Sequence, residues 1–166
     1  MNKFTLEYYK KIQSIINKII KEESSKITKA AQLIKSSYLD GGQLYVFGTG
    51  HSHMMAEESF HRAGGFAGAC PILDRNTDFS KGAEKATKLE RTPGLATKVL
   101  NKYKLRAKDI LIIYSNSGVN HVPVEAALYA KKRKMKPISV LSYHYSKKAP
   151  LSALNKRLFE ITDLFI

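Results

Sequence analysis

Apolar positions along the first forty residues step by three and four. Phe4, Tyr8, Ile12, Ile15 and Ile19 fall on one helical face, with Lys10, Lys11, Lys18 and Lys21 elsewhere. A polar joint at 22–26 suggests a break, with Ser24 or Ser25 capping a second helix. Ile27, Ala30, Ala31, Ile34 and Tyr38 continue the helical period, and Asp40-Gly41-Gly42 ends it. A helical pair over 1–40 is the expectation. The period then changes. Gln43–Gly48 is a short apolar run bounded by glycines, as a buried strand requires. Helix is expected over His53–Arg62, strand over Cys70–Asp74, loop with some helix over Asp74–Glu90, and helix over Gly94–Lys104. Asp109–Ser115 reads as the clearest strand, followed by a helix over Val122–Lys134 with Pro123 in its first turn. Pro137–Ser142 is a fourth strand, and Thr162–Ile166 begins a fifth.

Strands alternating with helices at this spacing imply βαβ units, a parallel sheet and ligand binding at the carboxyl ends of its strands. No repeat or low-complexity tract interrupts the pattern. At 166 residues the chain is expected to form a single domain, with 41–166 as the sheet. The last residues fall inside the fifth strand, which suggests a shortened C-terminus or an edge covered by another chain.

Composition narrows the class. Apolar residues make up 43% and charged residues 25%, both ordinary for a folded domain. No apolar run approaches a bilayer span, and the N-terminus lacks a signal peptide's apolar stretch. The lone Cys70 cannot form an intramolecular disulfide, so a reducing cytoplasmic setting is expected. Net charge is +14, from 28 basic and 14 acidic residues, which raises an anionic partner. The densest block, Lys131 to Lys136, lacks the interleaved aromatics of a nucleic-acid surface and suits a solvated helix end. Nucleic-acid binding rests on charge alone.

Two loops carry the candidate chemistry. Gly48-Thr49-Gly50-His51-Ser52 follows one strand and opens a helix; its glycines let backbone N–H groups approach an anion, and Ser52 adds a hydroxyl. A dinucleotide reading fails here, because His53 occupies the third glycine position although Asp74 could reach a ribose. Ser115-Asn116-Ser117-Gly118-Val119-Asn120 repeats the arrangement after another strand. Asn120 is placed to cap the next helix. Together the loops form a cradle for one compact anion such as a phosphate monoester. Each alone is also what an ordinary strand-to-helix turn looks like.

At these residues the sequence resembles the SIS, or sugar isomerase, domain family. The pair G-x-G-x-S (Gly48, Gly50, Ser52) and S-x-S-G-x-[TN] (Ser115, Ser117, Gly118, Asn120) carries the likeness. Glu90, Arg91 and Gly94 match an E-R-x-x-G segment found in stand-alone phosphosugar-binding members. The resemblance implies a flavodoxin-like three-layer αβα sandwich with a parallel five-stranded sheet. It also implies a sugar-phosphate ligand held by Ser52, Ser115 and Ser117, with Gly48, Thr49, Gly50, Asn116 and Asn120 alongside, and a homodimer or larger assembly. Asn120 stands where threonine is commoner.

Aldose–ketose isomerisation needs a carboxylate base and a proton donor. Glu57 and His61 are four apart and Glu58 and His61 three apart, so a base and an acid could share a helical face; an exposed helix surface is the plain alternative. Glu90 is a further candidate base. His53, Glu57 and His61 could suggest a metal, but ligands two turns apart strain to reach one ion, and neither metal nor cofactor is expected. His121 and His144 each follow a strand end, where a lone histidine is usually just exposed. The leading expectation is thus a phosphosugar isomerase. A non-catalytic phosphosugar-sensing module is the alternative, and a nucleic-acid-binding protein the third reading.

Overall fold

A computed structural model describes residues 2–166. The chain forms α1 (Lys3–Leu39), β1 (Leu44–Gly48), α2 (His53–Glu58), β2 (Ala69–Pro71), α3 (Ala83–Leu89), α4 (Leu95–Leu100), β3 (Ile110–Tyr114), α5 (His121–Lys132), β4 (Lys136–Val140), α6 (Tyr143–Lys148) and β5 (Leu164–Phe165). All four strand pairings are parallel, in the order β2-β1-β3-β4-β5. This is the flavodoxin-like order, in which connections run in opposite directions from β1 and β3. The sheet is therefore flanked by helices on both faces, as expected of a three-layer α/β sandwich.

Alternation along the strands sorts the core. Leu44, Ile110, Ile112, Ile138 and Leu164 face one way and pack against Ala30, Leu33 and Ile34 of α1. Tyr45, Phe47, Leu111 and Ile113 face the other way, under α4 and α5, with Leu95, Val99, Val122 and Ala126 fully or nearly buried. Asp109 clamps the strand starts on that scaffold. Its buried carboxylate accepts from the Gln43 N–H (2.9 Å), the Arg106 N–H (2.7 Å) and the Arg106 guanidinium (3.0 Å). β1 and β3 are thereby held in register, Leu44 beside Ile110 through Gly48 beside Tyr114.

Two sequence expectations are corrected here. The helical pair is one 37-residue helix. Residues 22–26 hold no glycine or proline; ion pairs Lys18–Glu22 (3.8 Å) and Lys26–Glu23 (2.7 Å) run along the helix there, and the Ser24 hydroxyl bonds back to the Ile20 carbonyl. α2 stops at Glu58, not Arg62. The Ser59 hydroxyl donates to the Ala56 carbonyl (2.7 Å), the Phe60 N–H bonds only three residues back, and His61 is left-handed at φ 50°. Helix α6 lies in a stretch for which the sequence reading gave no element. Among the described residues, no helix is long and apolar enough to cross a membrane.

Candidate functional site

The connections after β1 and β3 open side by side at the point where the strand order reverses. Residues 49–52 leave β1 as an extended Thr49 followed by one 3-10 turn, Gly50–Ser52, leading into α2. Gly50 requires its lack of a side chain: φ is +56°. Its N–H donates to the Thr77 carbonyl (2.8 Å), tying the loop to the segment after β2. Gly48 is closed to any side chain, because a Cβ would stand 2.2 Å from the Ser52 carbonyl oxygen.

The second loop, 115–120, is held from within and from behind. The Ser115 oxygen accepts from the Gly118 N–H (3.1 Å), the Asn116 carbonyl accepts from the Ser142 N–H (3.1 Å), and the Gly118 carbonyl accepts from the Leu158 N–H (2.8 Å). Gly118 has φ +61°, and a Cβ there would approach the Ser146 hydroxyl to 3.0 Å. Three hydrogen bonds thus tie the loop to its own turn and to the segments after β4 and α6.

Between the loops lies an open cleft of about 720 Å³. Thr49, His51, Ser52, Ser115, Ser117 and Asn120 line it, joined by Glu90 and Arg91 from the end of α3 and by Tyr145 and residues 149–153 beyond α6. Arg157 braces that last wall, donating to the carbonyls of Ser146 (2.9 Å) and Lys147 (3.1 Å).

Glu90 bridges the two loops. One carboxylate oxygen accepts from the Asn120 amide (2.8 Å), the other from the Thr49 hydroxyl (3.4 Å). Its own carbonyl accepts from the Val122 N–H (3.1 Å). Burial pushes its pKa above the ordinary glutamate range, against the opposing pull of Arg91, Thr49 and His51. A half-buried carboxyl with raised pKa is a poised proton acceptor. Asn120 does not cap α5, because its side chain is committed to Glu90.

The other candidates lie elsewhere. Glu57 and Glu58 are exposed on α2; Glu58 pairs with Arg62, and His61 sits beyond the helix end, beside a separate hollow of about 450 Å³. The shared face expected of Glu57 and His61 is not formed. His53 is buried, its Nδ1 3.2 Å from the Thr77 hydroxyl and 3.4 Å from the Gly48 carbonyl, so it fastens the end of β1. Its Nε2 lies 3.7 Å from Glu57, and among the described residues no group of three metal-ligating side chains forms. Asp74 holds Asn76 (2.9 Å) and Lys102. His144 is exposed, whereas His121 is nearly buried at the cleft, 3.9 Å from Glu125. Glu125 also anchors the start of α4 through Gly94 (3.0 Å) and Thr97 (2.6 Å).

The sequence reading did not single out His51, Tyr145 or residues 149–153. His51 carried a signal, its position inside the first glycine loop. Tyr145 and its neighbours carried none, because only the crossover from β4 to β5 brings them to the cleft.

The family model described as the SIS domain matches residues 7–142. The chain belongs to the SIS-domain family. It is 36% identical over 161 residues to a UPF0309 protein of Geobacillus thermodenitrificans, covering 96% of this chain and 65% of that one. It is 38% identical over 160 residues to a UPF0309 protein of Halalkalibacterium halodurans, covering 96% and 64%. This SIS chain thus spans just under two thirds of the length of these curated relatives. Among solved structures it resembles phosphoheptose isomerases. The one from Neisseria gonorrhoeae matches with TM-score 0.67 and 19% identity, over 90% of this chain and 79% of that one. The one from Francisella tularensis matches with TM-score 0.65 and 20% identity, over 98% and 82%. At such identity the likeness is one of fold.

Proposed function

We propose that residues 1–166 act as one ligand-binding unit that takes a sugar phosphate in this cleft and interconverts an aldose and a ketose. The observation that carries the reading is the convergence of both serine loops on one half-buried carboxylate with raised pKa. The phosphate sits against Ser52, Ser115 and Ser117, whose hydroxyls can donate charge-assisted hydrogen bonds. That anchorage leaves the sugar chain to extend past Glu90. The solved phosphoheptose isomerases of the same fold are consistent with the reaction class.

Chemically, the Glu90 carboxylate takes the proton from the carbon next to the carbonyl while an acid protonates the carbonyl oxygen. The product of that step is an enediol. The carboxyl then returns its proton to the neighbouring carbon, and the other enediol hydroxyl gives up its proton. His51, which lines the cleft and acts electrostatically on Glu90, is our candidate for the acid. No oxidant or reductant is consumed. The chain works in the cytoplasm as a homodimer or larger assembly in this proposal.

A thermal-shift screen with hexose, hexosamine, pentose and heptose phosphates beside their free sugars tests the binding. A ligand at 100 times its Kd adds about 2.7 kcal/mol. Equal shifts from phosphorylated and free sugars remove the phosphate site. Binding without any interconversion by NMR leaves a sensing module and removes the catalytic half.

A further inference from the structure

The wall that supplies Glu90 to the cleft also supplies a cation. Among the described residues lining the cleft, Arg91 is the only arginine or lysine. Its backbone is fixed. The Arg91 N–H donates to the Lys88 carbonyl (3.2 Å), the Glu90 carbonyl before it accepts from the Val122 N–H (3.1 Å), and the Gly94 N–H after it donates to the Glu125 carboxylate (3.0 Å). Helix α5 thus clasps the segment on either side of Arg91. The side chain is left exposed, and among the described residues no carboxylate stands within ion-pair distance of its guanidinium. Other arginines are committed: Arg106 to Asp109 (3.0 Å), and Arg157 to the Ser146 (2.9 Å) and Lys147 (3.1 Å) carbonyls. Arg91 does act through space on Glu90, pulling its carboxyl toward the ionised form against burial. A planar fork of N–H donors is therefore offered to the cleft beside the candidate base.

The chemistry of the base says which anion suits it. When the Glu90 carboxylate takes a proton from carbon, the C–H electron pair becomes the new carbon–carbon bond and the carbonyl pair moves onto oxygen. Negative charge leaves Glu90 and develops on the substrate, at the end away from the phosphate. A cation fixed beside Glu90 stays close to that charge as it moves. A second phosphate ester does not suit this end, because an esterified oxygen cannot become a carbonyl. A carboxylate does: its two oxygens match the guanidinium fork. A sugar-acid phosphate reproduces the state after transfer, with the negative charge on the ligand and the proton on Glu90.

We propose that Arg91 forms a second anion subsite in this cleft, which takes the negative oxygen at the reacting end of the sugar and selects open-chain sugar-acid phosphates over alditol phosphates of the same length. The inference rests on the sugar-phosphate reading and divides the ligand between two receptors, hydroxyls for the phosphate and a guanidinium for the far end.

Calorimetry on the full chain decides it, with two matched pairs of ligands. Gluconate and arabinonate, each phosphorylated on the terminal carbon, are compared with glucitol and arabinitol phosphorylated at the same place. In at least one pair the sugar acid binds about tenfold more tightly, as one charge-assisted contact provides. Arg91→Ala and Arg91→Gln each remove that preference and leave the alditol phosphate within about threefold of its affinity for the parent. Arg91→Lys keeps part of it, since an ammonium retains the charge but not the fork. Ser117→Ala weakens both members of a pair alike. Alditol phosphates that bind with no advantage for the sugar acids overturn the proposal and leave the phosphate site standing. A loss in Arg91→Ala that falls equally on both members also overturns it and puts the guanidinium on the phosphate. If neither member of either pair binds the parent, the phosphate site falls together with the subsite.

Discussion

Replacing Glu90 with glutamine separates its chemical from its structural work. The glutamine keeps a carbonyl oxygen for the Asn120 amide and a polar group beside Thr49, so the bridge between the loops survives. What disappears is a base. Loss of a positioned general base lowers kcat by about 10²- to 10⁴-fold. The Kd for sugar phosphate should move little, because the phosphate is held by the serine loops. Burial raises the Glu90 pKa above its ordinary value of 4.5, so the acid limb of the kcat/KM profile lies above that value and vanishes in the variant. Stability follows the same shift. With the folded-state pKa raised, Glu90's contribution to stability is fully present below about pH 4.5 and is lost as pH rises through the folded value. The glutamine carries no such loss. Its Tm relative to the parent should therefore climb from about pH 4.5 upward and level off once the parent carboxyl is ionised. Isomerisation followed by NMR, with Tm measured from pH 4 to 8, supplies both tests. A variant that turns over within about threefold of the parent refutes the assignment of the base. A Tm difference that shrinks with rising pH refutes the burial argument.

The remaining predictions concern the cradle. Ser52→Ala and Ser117→Ala should each weaken sugar-phosphate binding about tenfold, from loss of one charge-assisted hydrogen bond, with Tm nearly unchanged; calorimetry checks the first and a melt the second. Ser115→Ala should weaken binding similarly and also cost about 1 kcal/mol of stability, because its oxygen accepts the Gly118 N–H. Gly118→Ala should destabilise the fold by about 1–2 kcal/mol in urea titration and abolish binding, since a Cβ at φ +61° meets Ser146. His53→Ala should cost about 2 kcal/mol or more through a buried cavity and the lost hydrogen bond to Thr77, whose hydroxyl keeps only the Asp74 carbonyl (2.8 Å), with no direct loss of a ligand contact.

The sheet was legible because its strands are short apolar runs between turn residues, and a buried parallel sheet demands such runs. The loops at its carboxyl ends were legible for a related reason: glycine is needed where Gly50 and Gly118 adopt positive φ, and hydroxyls stand out beside it. The break expected in α1 was misplaced by reading polarity as a stop. Glu22 to Lys26 is polar because that stretch is flanked by solvent, and no residue in it opposes helical backbone. The end of α2 went the other way. Its termination depends on the Ser59 hydroxyl competing for the Ala56 carbonyl, a local bond that apolar spacing does not encode.

The candidate carboxylates show how far pattern carries chemistry. Glu57, Glu58 and Glu90 differ little as letters in the sequence, and all were candidates. Spacing favoured the two on α2, because a helix supplies a ready argument about shared faces. Burial reverses that ranking. Glu57 and Glu58 are solvated, whereas Glu90 is held against Asn120 and Thr49 in a cleft that raises its pKa. A general base requires a proton affinity near the working pH and a fixed position relative to the reacting carbon, and both are properties of surroundings. Those surroundings come from three crossovers: β1 delivers Thr49, β3 delivers Asn120, and the connection between β2 and β3 delivers Glu90 itself. Only the strand order β2-β1-β3 makes them neighbours. Glu90 thus owes its candidacy to topology acting through electrostatics, and the proposed role fails if that one carboxyl moves no proton.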